Sequence, residues 1–471
     1  MTQADRYYES DEFRELLQRY ETAQAEGRSI YLEPDEIADI AEYYQMLGND
    51  VNATAAADYG LTIFPASAVL LAVRARLALI AGDISQARHY ASLTDDTTSP
   101  DYHYITAEIL IAEGKPDEAD RYLTGILDSL YDDEREDFII DATGIFADYQ
   151  QWELAYRWLQ LSTDFDAADY KELRGRIAMN RGNYEESERI FNELIDSDPY
   201  STPYWNHLAS TQLMHGNIRD SIQSSEFSIA INPDDAEAIL NKANGLFSLG
   251  NYHDAREFYR RYAQLYPGEE TGELYQGICC MNENLIDEGI DHLRRAEQVV
   301  KPGTAGQLDI YQELAFALSQ KGLTDEALHY LDLMARSPLA DECEVLVMRG
   351  HLLIESGRYD EGQRCYSRAI SQSKAAPRIL LRIAISIYDL GFYQQSYRMF
   401  QLLHETSDQT RTDGYAYEAL CCHALGRRDE FIENVRLACE KNLAEAQLVL
   451  SEIFPPDVEA KDYYNYLISN E

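Results

Sequence analysis

Apolar residues recur at helical spacing through most of the chain, in stretches of a dozen or more positions separated by single glycines and prolines. In the middle of the sequence this punctuation is regular. Gly182, Gly216 and Gly250 stand 34 residues apart, each followed by an asparagine, and Pro199, Pro233 and Pro267 keep the same interval 17 positions later. Glycine closes a helix because it takes up the left-handed conformation that other side chains resist, and proline cannot continue one because it has no amide donor. Each period therefore predicts a pair of helices, the first ended by glycine and the second by proline.

Carrying this frame outward places the turn residue at Gly48, Gly82, Gly114, Gln150, Gly182, Gly216, Gly250, Asn284, Gly322, Gly357, Gly391 and Gly426, which makes twelve units. Seven residues before each turn the side chain is small, with Thr143 the only one larger than alanine; five residues after it, only Phe431 breaks the same rule. Small residues on both sides of a turn let paired helices approach closely, and Phe191, Tyr259, Tyr366 and Phe400 fill the adjacent layer. Small residues at unit positions 8 and 20, Gly at 15, Tyr at 17, an aromatic at 24 and Pro at 32 resemble the tetratricopeptide repeat. The resemblance implies an all-α fold, a right-handed α-solenoid of about twelve helix-turn-helix units. The expected organisation is an N-terminal capping helix in 1–33, the array in 34–441 and C-terminal capping helices in 442–471. Asp11 to Glu26, Asn442 to Ile453 and Val458 to Ile468 are the expected extra helices, and the long interval around Lys301–Thr304 predicts a slight break.

Charge narrows the partners. Asp and Glu number 83 against 40 Lys and Arg, a formal net charge of -43. Such a surface repels phosphate backbones and anionic lipid, so neither nucleic acid nor membrane is expected as a partner. It attracts basic segments, although a solvated acidic surface that keeps the protein soluble accounts for the same composition. Met1 to Arg14 lacks the pattern of a signal peptide and no stretch is apolar enough for a membrane helix, so a cytoplasmic location is expected. The seven cysteines begin at Cys279 and none forms C-x-x-C, which suits reduced core residues. Cys421-Cys422-His423 is metal-like in composition only: neighbours on a helix point about 100° apart and cannot converge on one ion. No metal or other cofactor is expected.

The array leaves no room for a catalytic domain, and no nucleophile, phosphate-loop or metalloprotease motif occurs, so the chain reads as a non-enzyme. In repeats of this kind the first helices line a concave groove, and the resemblance implies that unit positions 2, 5, 9 and 12 face it. Position 2 is acidic in eight of twelve units, as in Asp35, Asp101, Asp137, Asp169, Glu237 and Glu344. These residues form either a rim for basic peptides or favourable partners of the helix dipole. Position 9 turns from polar to apolar along the chain. The candidate partner-binding residues of the C-terminal part are Leu274, Ile278, Phe316, Val347, His351, Ile354, Leu381, Ile385 and Tyr388, with Arg378 and Arg382 as forks for a carboxylate. Such a groove either receives a partner or is covered by the terminal helix carrying Tyr463, Tyr464, Tyr466, Leu467 and Ile468. The expected function is a scaffold or adaptor binding a protein or peptide that is basic or carries an amphipathic apolar segment. The alternative is a regulatory sensor in which a small peptide or metabolite in the C-terminal groove changes the superhelix. Oligomeric state is not legible in the sequence.

Overall fold

The computed structural model describes residues 7–8, 10–406, 412–455 and 458–469. Among the described residues there is no strand, and an opening helix, Asp11–Ala25, is followed by twelve consecutive helix pairs. Pairs 1 to 4 are Pro34–Met46 with Asp50–Ile63, Ala68–Ile80 with Ile84–Ala91, Pro100–Ala112 with Pro116–Leu127, and Asp132–Asp148 with Trp152–Leu159. Pairs 5 to 8 are Ala168–Asn180 with Tyr184–Ser197, Thr202–His215 with Ile218–Ile231, Ala236–Ser248 with Tyr252–Leu265, and Thr271–Asn282 with Ile286–Val299. Pairs 9 to 12 are Ala305–Gln320 with Thr324–Met334, Glu342–Glu355 with Tyr359–Gln372, Pro377–Asp389 with Tyr393–Thr406, and Tyr415–Ala424 with Arg428–Lys441. The molecule is an all-helical solenoid of tetratricopeptide-like pairs.

One turn geometry serves the whole array. Its glycines have positive φ, and where glycine is missing Gln150 and Asn284 adopt the same conformation at φ 57° and 60°. The amide after the turn residue bonds to the carbonyl five residues back: Asn183 to Ala178 at 2.9 Å, Gln151 to Phe146 at 2.7 Å, Leu285 to Cys280 at 2.8 Å. This arrangement satisfies carbonyls that the end of a helix would otherwise leave bare. Small residues beside the turn are required by contact. A Cβ on Gly175 would lie 2.8 Å from the Phe191 ring, and one on Gly277 would lie 2.8 Å from Leu293 and 3.2 Å from the Gly289 carbonyl. Thr143 is tolerated because its hydroxyl donates to the Ile139 carbonyl at 2.7 Å.

The chain forms two compact units, Met1–Tyr266 and Pro267–Glu471. In the first, Phe13, Leu16 and Tyr20 of the opening helix are buried with Ile37, Ile40 and Ala41 of pair 1. The two ends of this unit meet: a Cβ on the turn residue Gly48 would lie 2.6 Å from the ring of Tyr266. In the second unit one apolar cluster runs from Leu274 to Leu353 across the loop at Lys301–Thr304. The core is therefore continuous across this loop, and the division into units falls at Tyr266/Pro267. Leu443–Leu450 and Tyr463–Ser469 follow pair 12. The last helix starts later than Val458, after a 3-10 turn at Ala460–Asp462, and Pro456 lies outside the described residues. It packs on Arg428–Lys441, with Tyr463 stacked on Phe454 at 3.9 Å and the Cys439 thiol donating to the Ala460 carbonyl at 3.2 Å.

Candidate interaction grooves

In the first unit the first helices bring acidic groups of successive pairs together. Arg76 of pair 2 donates to Glu108 of pair 3 through Nη2 at 2.9 Å and Nε at 3.2 Å, and lies 3.6 Å from Glu42 of pair 1. Tyr149 of pair 4 donates to the same Glu108 carboxylate at 3.2 Å. Glu108 is buried, so this network satisfies a carboxylate that would otherwise be costly. The alternating signs of Glu42, Arg76 and Glu108 at unit position 9 were the sequence signal for it, since equal positions become neighbours when pairs stack. Further along, desolvation by the surrounding helices raises the Asp141 carboxyl, and Asp137, Asp169 and Asp101 add repulsion against the relief of a hydrogen bond from Tyr104. Desolvation also pushes Glu237 up to about 7, helped by Asp235 and opposed by Arg176. Asp101, Asp137 and Asp169 thus act together on Asp141 from three successive pairs, and Asp101 and Asp169 also stand in first turns.

The second unit has a different wall. Phe316 of pair 9, His351 of pair 10, and Ile385 and Tyr388 of pair 11 are half-buried along its first helices. Phe316 meets His351 edge-on, with ring centroids 6.0 Å apart. His351 Nδ1 is 2.9 Å from the Ser386 hydroxyl, which also bonds Tyr366 at 2.6 Å. Tyr388 packs against Tyr393 at 5.3 Å and Tyr417 at 6.1 Å. Ile278 lies half-buried on the cluster of pairs 8 to 10, and Leu381 on that of pairs 11 and 12. Rings and aliphatic side chains therefore run from pair 8 to pair 12. Beside them an open pocket of about 470 Å³ is bounded by Arg378, Arg382, Asp309, Gln312 and Met348.

Three expected groove residues do not face the groove: Leu274, Val347 and Ile354 are only 8%, 5% and 7% exposed. Val347 packs with Ile379 and Ile383 of the next pair, and Ile354 fills the space left by Gly362. Unit positions 5 and 12 lie at the border between groove and neighbouring pair, and here the neighbour takes them. Arg378 and Arg382 are exposed but not unpaired. Arg378 bonds Asp341 and reaches Glu344 at 2.8 Å, and Arg382 reaches Glu344 at 3.2 Å. The terminal helix lies on pair 12 through Tyr463, with Tyr466 and Leu467 half-buried in the same cluster. Cys279, Cys280, Cys421 and Cys422 are buried as expected, whereas Cys343, Cys365 and Cys439 are half-buried rather than core residues. Burial pushes the Cys421 thiol up to about 11.

Among the described residues no helix is long and apolar enough to cross a membrane. A tetratricopeptide repeat model matches residues 208–270, and a second matches 168–201 and 344–375. Human RNA polymerase II-associated protein 3 is 21% identical over 206 residues, covering 43% of this chain and 26% of that protein. Small glutamine-rich tetratricopeptide repeat-containing protein 2 of Mycosarcoma maydis is 26% identical over 125 residues, covering 26% of this chain and 35% of that protein. The chain thus spans about a quarter to a third of these curated relatives. Among solved structures, MamA from Desulfovibrio magneticus RS-1 is similar at 15% identity and TM-score 0.33, over 36% of this chain and 93% of that one. The human IFIT1 dimer with PPP-AAAA is similar at 14% identity and TM-score 0.48, over 88% of this chain and 96% of that one.

Proposed function

The chain is a multi-repeat helical protein of the tetratricopeptide repeat family, and from that premise we propose that it is a non-catalytic cytoplasmic adaptor whose second unit holds a peptide segment of another protein. Tetratricopeptide-repeat proteins generally serve as scaffolds for protein–protein interaction. The observation that carries the reading is the run of half-buried side chains on the first helices of pairs 9 to 11, the apolar Phe316 and Ile385 with the rings of His351 and Tyr388. Such a surface gains by receiving the apolar stripe of an amphipathic segment. Ile278 and Leu381 extend it at either end. Arg378 and Arg382, whose side chains are 61% and 53% exposed, would extend a free edge of their forks to an acidic group of the peptide while Glu344, 17% exposed, keeps them as partners. The acidic wall of the first unit would favour partners with basic segments, and the net charge of -43 disfavours nucleic acid and anionic membranes. In this reading 34–441 is the working array, with 1–33 and 442–471 capping its ends.

Selection from a displayed peptide library tests the proposal. Wild type should enrich peptides sharing apolar anchors at helical or alternate spacing. Ile385→Asp and the exposed-site variant Arg382→Glu should each weaken them about tenfold or more, with helicity unchanged by circular dichroism. Enrichment indifferent to both substitutions removes the groove as the site.

A further inference from the structure

Away from this groove, between Thr324–Met334, Glu342–Glu355 and Tyr359–Gln372, lies a pocket of about 560 Å³. Arg349, Arg358, Arg364 and Arg368 stand around it, while Leu328, Leu346 and Leu353 give it an apolar lining. In a chain with 83 acidic and 40 basic residues, four guanidinium groups facing one cavity run against the composition. Helical geometry explains how they meet. Arg364 and Arg368 are four apart on one helix face, Arg358 precedes the same helix, and Arg349 comes from its paired helix.

The resident carboxylates do not saturate these groups. Asp332, Glu342 and Glu361 line the pocket beside the four arginines and pair with Arg349, Arg368 and Arg358 respectively. Their side chains are 53%, 60% and 45% exposed, so the pairs are solvated and weak. Arg364 donates from Nε to the Asp360 carbonyl at 3.2 Å and has no carboxylate within ion-pair reach among the described residues. Cys365 is half-buried at the same pocket. Burial raises its thiol and Glu361 adds to the rise, while the guanidinium groups of Arg349, Arg368 and Arg364, which line the same pocket, pull the other way.

We propose that this pocket binds a phosphate monoester carried on an aromatic or aliphatic stem. A monocarboxylate offers the arginines no more than the Asp and Glu side chains already there. A phosphate brings a second charge and a third acceptor oxygen, and so engages several forks at once, while its stem would rest on the narrow edge that Leu328, Leu346 and Leu353, at 9%, 7% and 3% exposed, leave at the pocket floor. The site shares none of Phe316, His351, Ile385 and Tyr388 and stands whether or not the groove binds peptides.

Cys365 supplies the readout and Cys343 the internal control, because Cys343 lies among Asp341, Glu342 and Glu344, with Arg378 as the single guanidinium acting against them, where Cys365 has three. Anionic iodoacetate and neutral iodoacetamide should differ: the ratio of their alkylation rates at Cys365 should exceed that at Cys343 by about tenfold. Phenyl phosphate should protect Cys365 from iodoacetate and leave Cys343 unaffected, whereas phenylacetate at equal concentration should protect neither. Arg364→Glu with Arg368→Glu, both on an exposed helix face, should abolish protection while helicity is retained. Comparing phenyl phosphate with a phosphotyrosine peptide identifies the source. Tighter protection by the peptide means a phosphorylated partner, and equal protection means a free phosphate ester. Equal rate ratios at the two cysteines, or protection by phenylacetate as strong as by phenyl phosphate, overturns the proposal.

Discussion

Gln150 performs a task that glycine performs in ten of the twelve units. Its φ of 57° places Cβ where a left-handed backbone crowds it, at a cost of about 1 kcal/mol that the turn's hydrogen bonds outweigh. Gln150→Gly should therefore stabilise the first unit by about 0.5–1 kcal/mol, seen as a higher urea midpoint. Asn284→Gly should gain less, because asparagine visits this region readily. Glu237 gives the pH dependence. The surrounding helices push its carboxyl up to about 7 against 4.5 for the free side chain, although its side chain is exposed to solvent, so folding favours the protonated form only by the part of this shift that water leaves. That stabilisation is complete below about pH 4.5 and is lost as pH rises through 7. Glu237→Gln stays neutral, and its melting temperature should fall less than that of wild type between about pH 5 and pH 8. Groove water screens the effect to a fraction of what the shift alone would give. Parallel pH profiles would mean that Glu237 is not desolvated.

At the level of the helix pair, the turn contact at Gly48 separates backbone demand from packing demand. Gly48 and Gly82 both have positive φ, 68° and 77°, but only at Gly48 would a Cβ strike another residue, Tyr266. Gly48→Ala should cost about 1 kcal/mol more than Gly82→Ala in denaturant unfolding, and adding Tyr266→Ala should remove the excess. Equal costs would show that the ends of the first unit do not press together. This scale also explains what was legible in the sequence. Turns and small positions could be read because backbone geometry and close approach leave few alternatives, as at Gly182 or Gly277. Even Gln150 and Asn284 fell into the frame by spacing. The direction of Leu274, Val347 and Ile354 could not be read, because it depends on how far each pair rotates on the next, which spacing within one pair does not determine. For the same reason Arg349, Arg358, Arg364 and Arg368 look in sequence like ordinary solvated positions.

Over the whole molecule, the surplus of carboxylates is distributed unequally in kind. The first unit carries acidic groups that crowd one another, from Glu42 to Glu237, and the second carries an apolar wall flanked by Arg378 and Arg382. One chain of one repeat type thus presents two chemically different surfaces, which is what an adaptor requires and what no single repeat could provide. Of these two surfaces, the apolar wall of the second unit is the one proposed to receive a peptide. Amide hydrogen exchange with and without a saturating selected peptide tests it most directly. Exchange should slow in Ala305–Gln320, Glu342–Glu355 and Pro377–Asp389, with the first unit unchanged; protection confined to pairs 1 to 7, or to the second helices of pairs 9 to 11, would show that the peptide binds elsewhere.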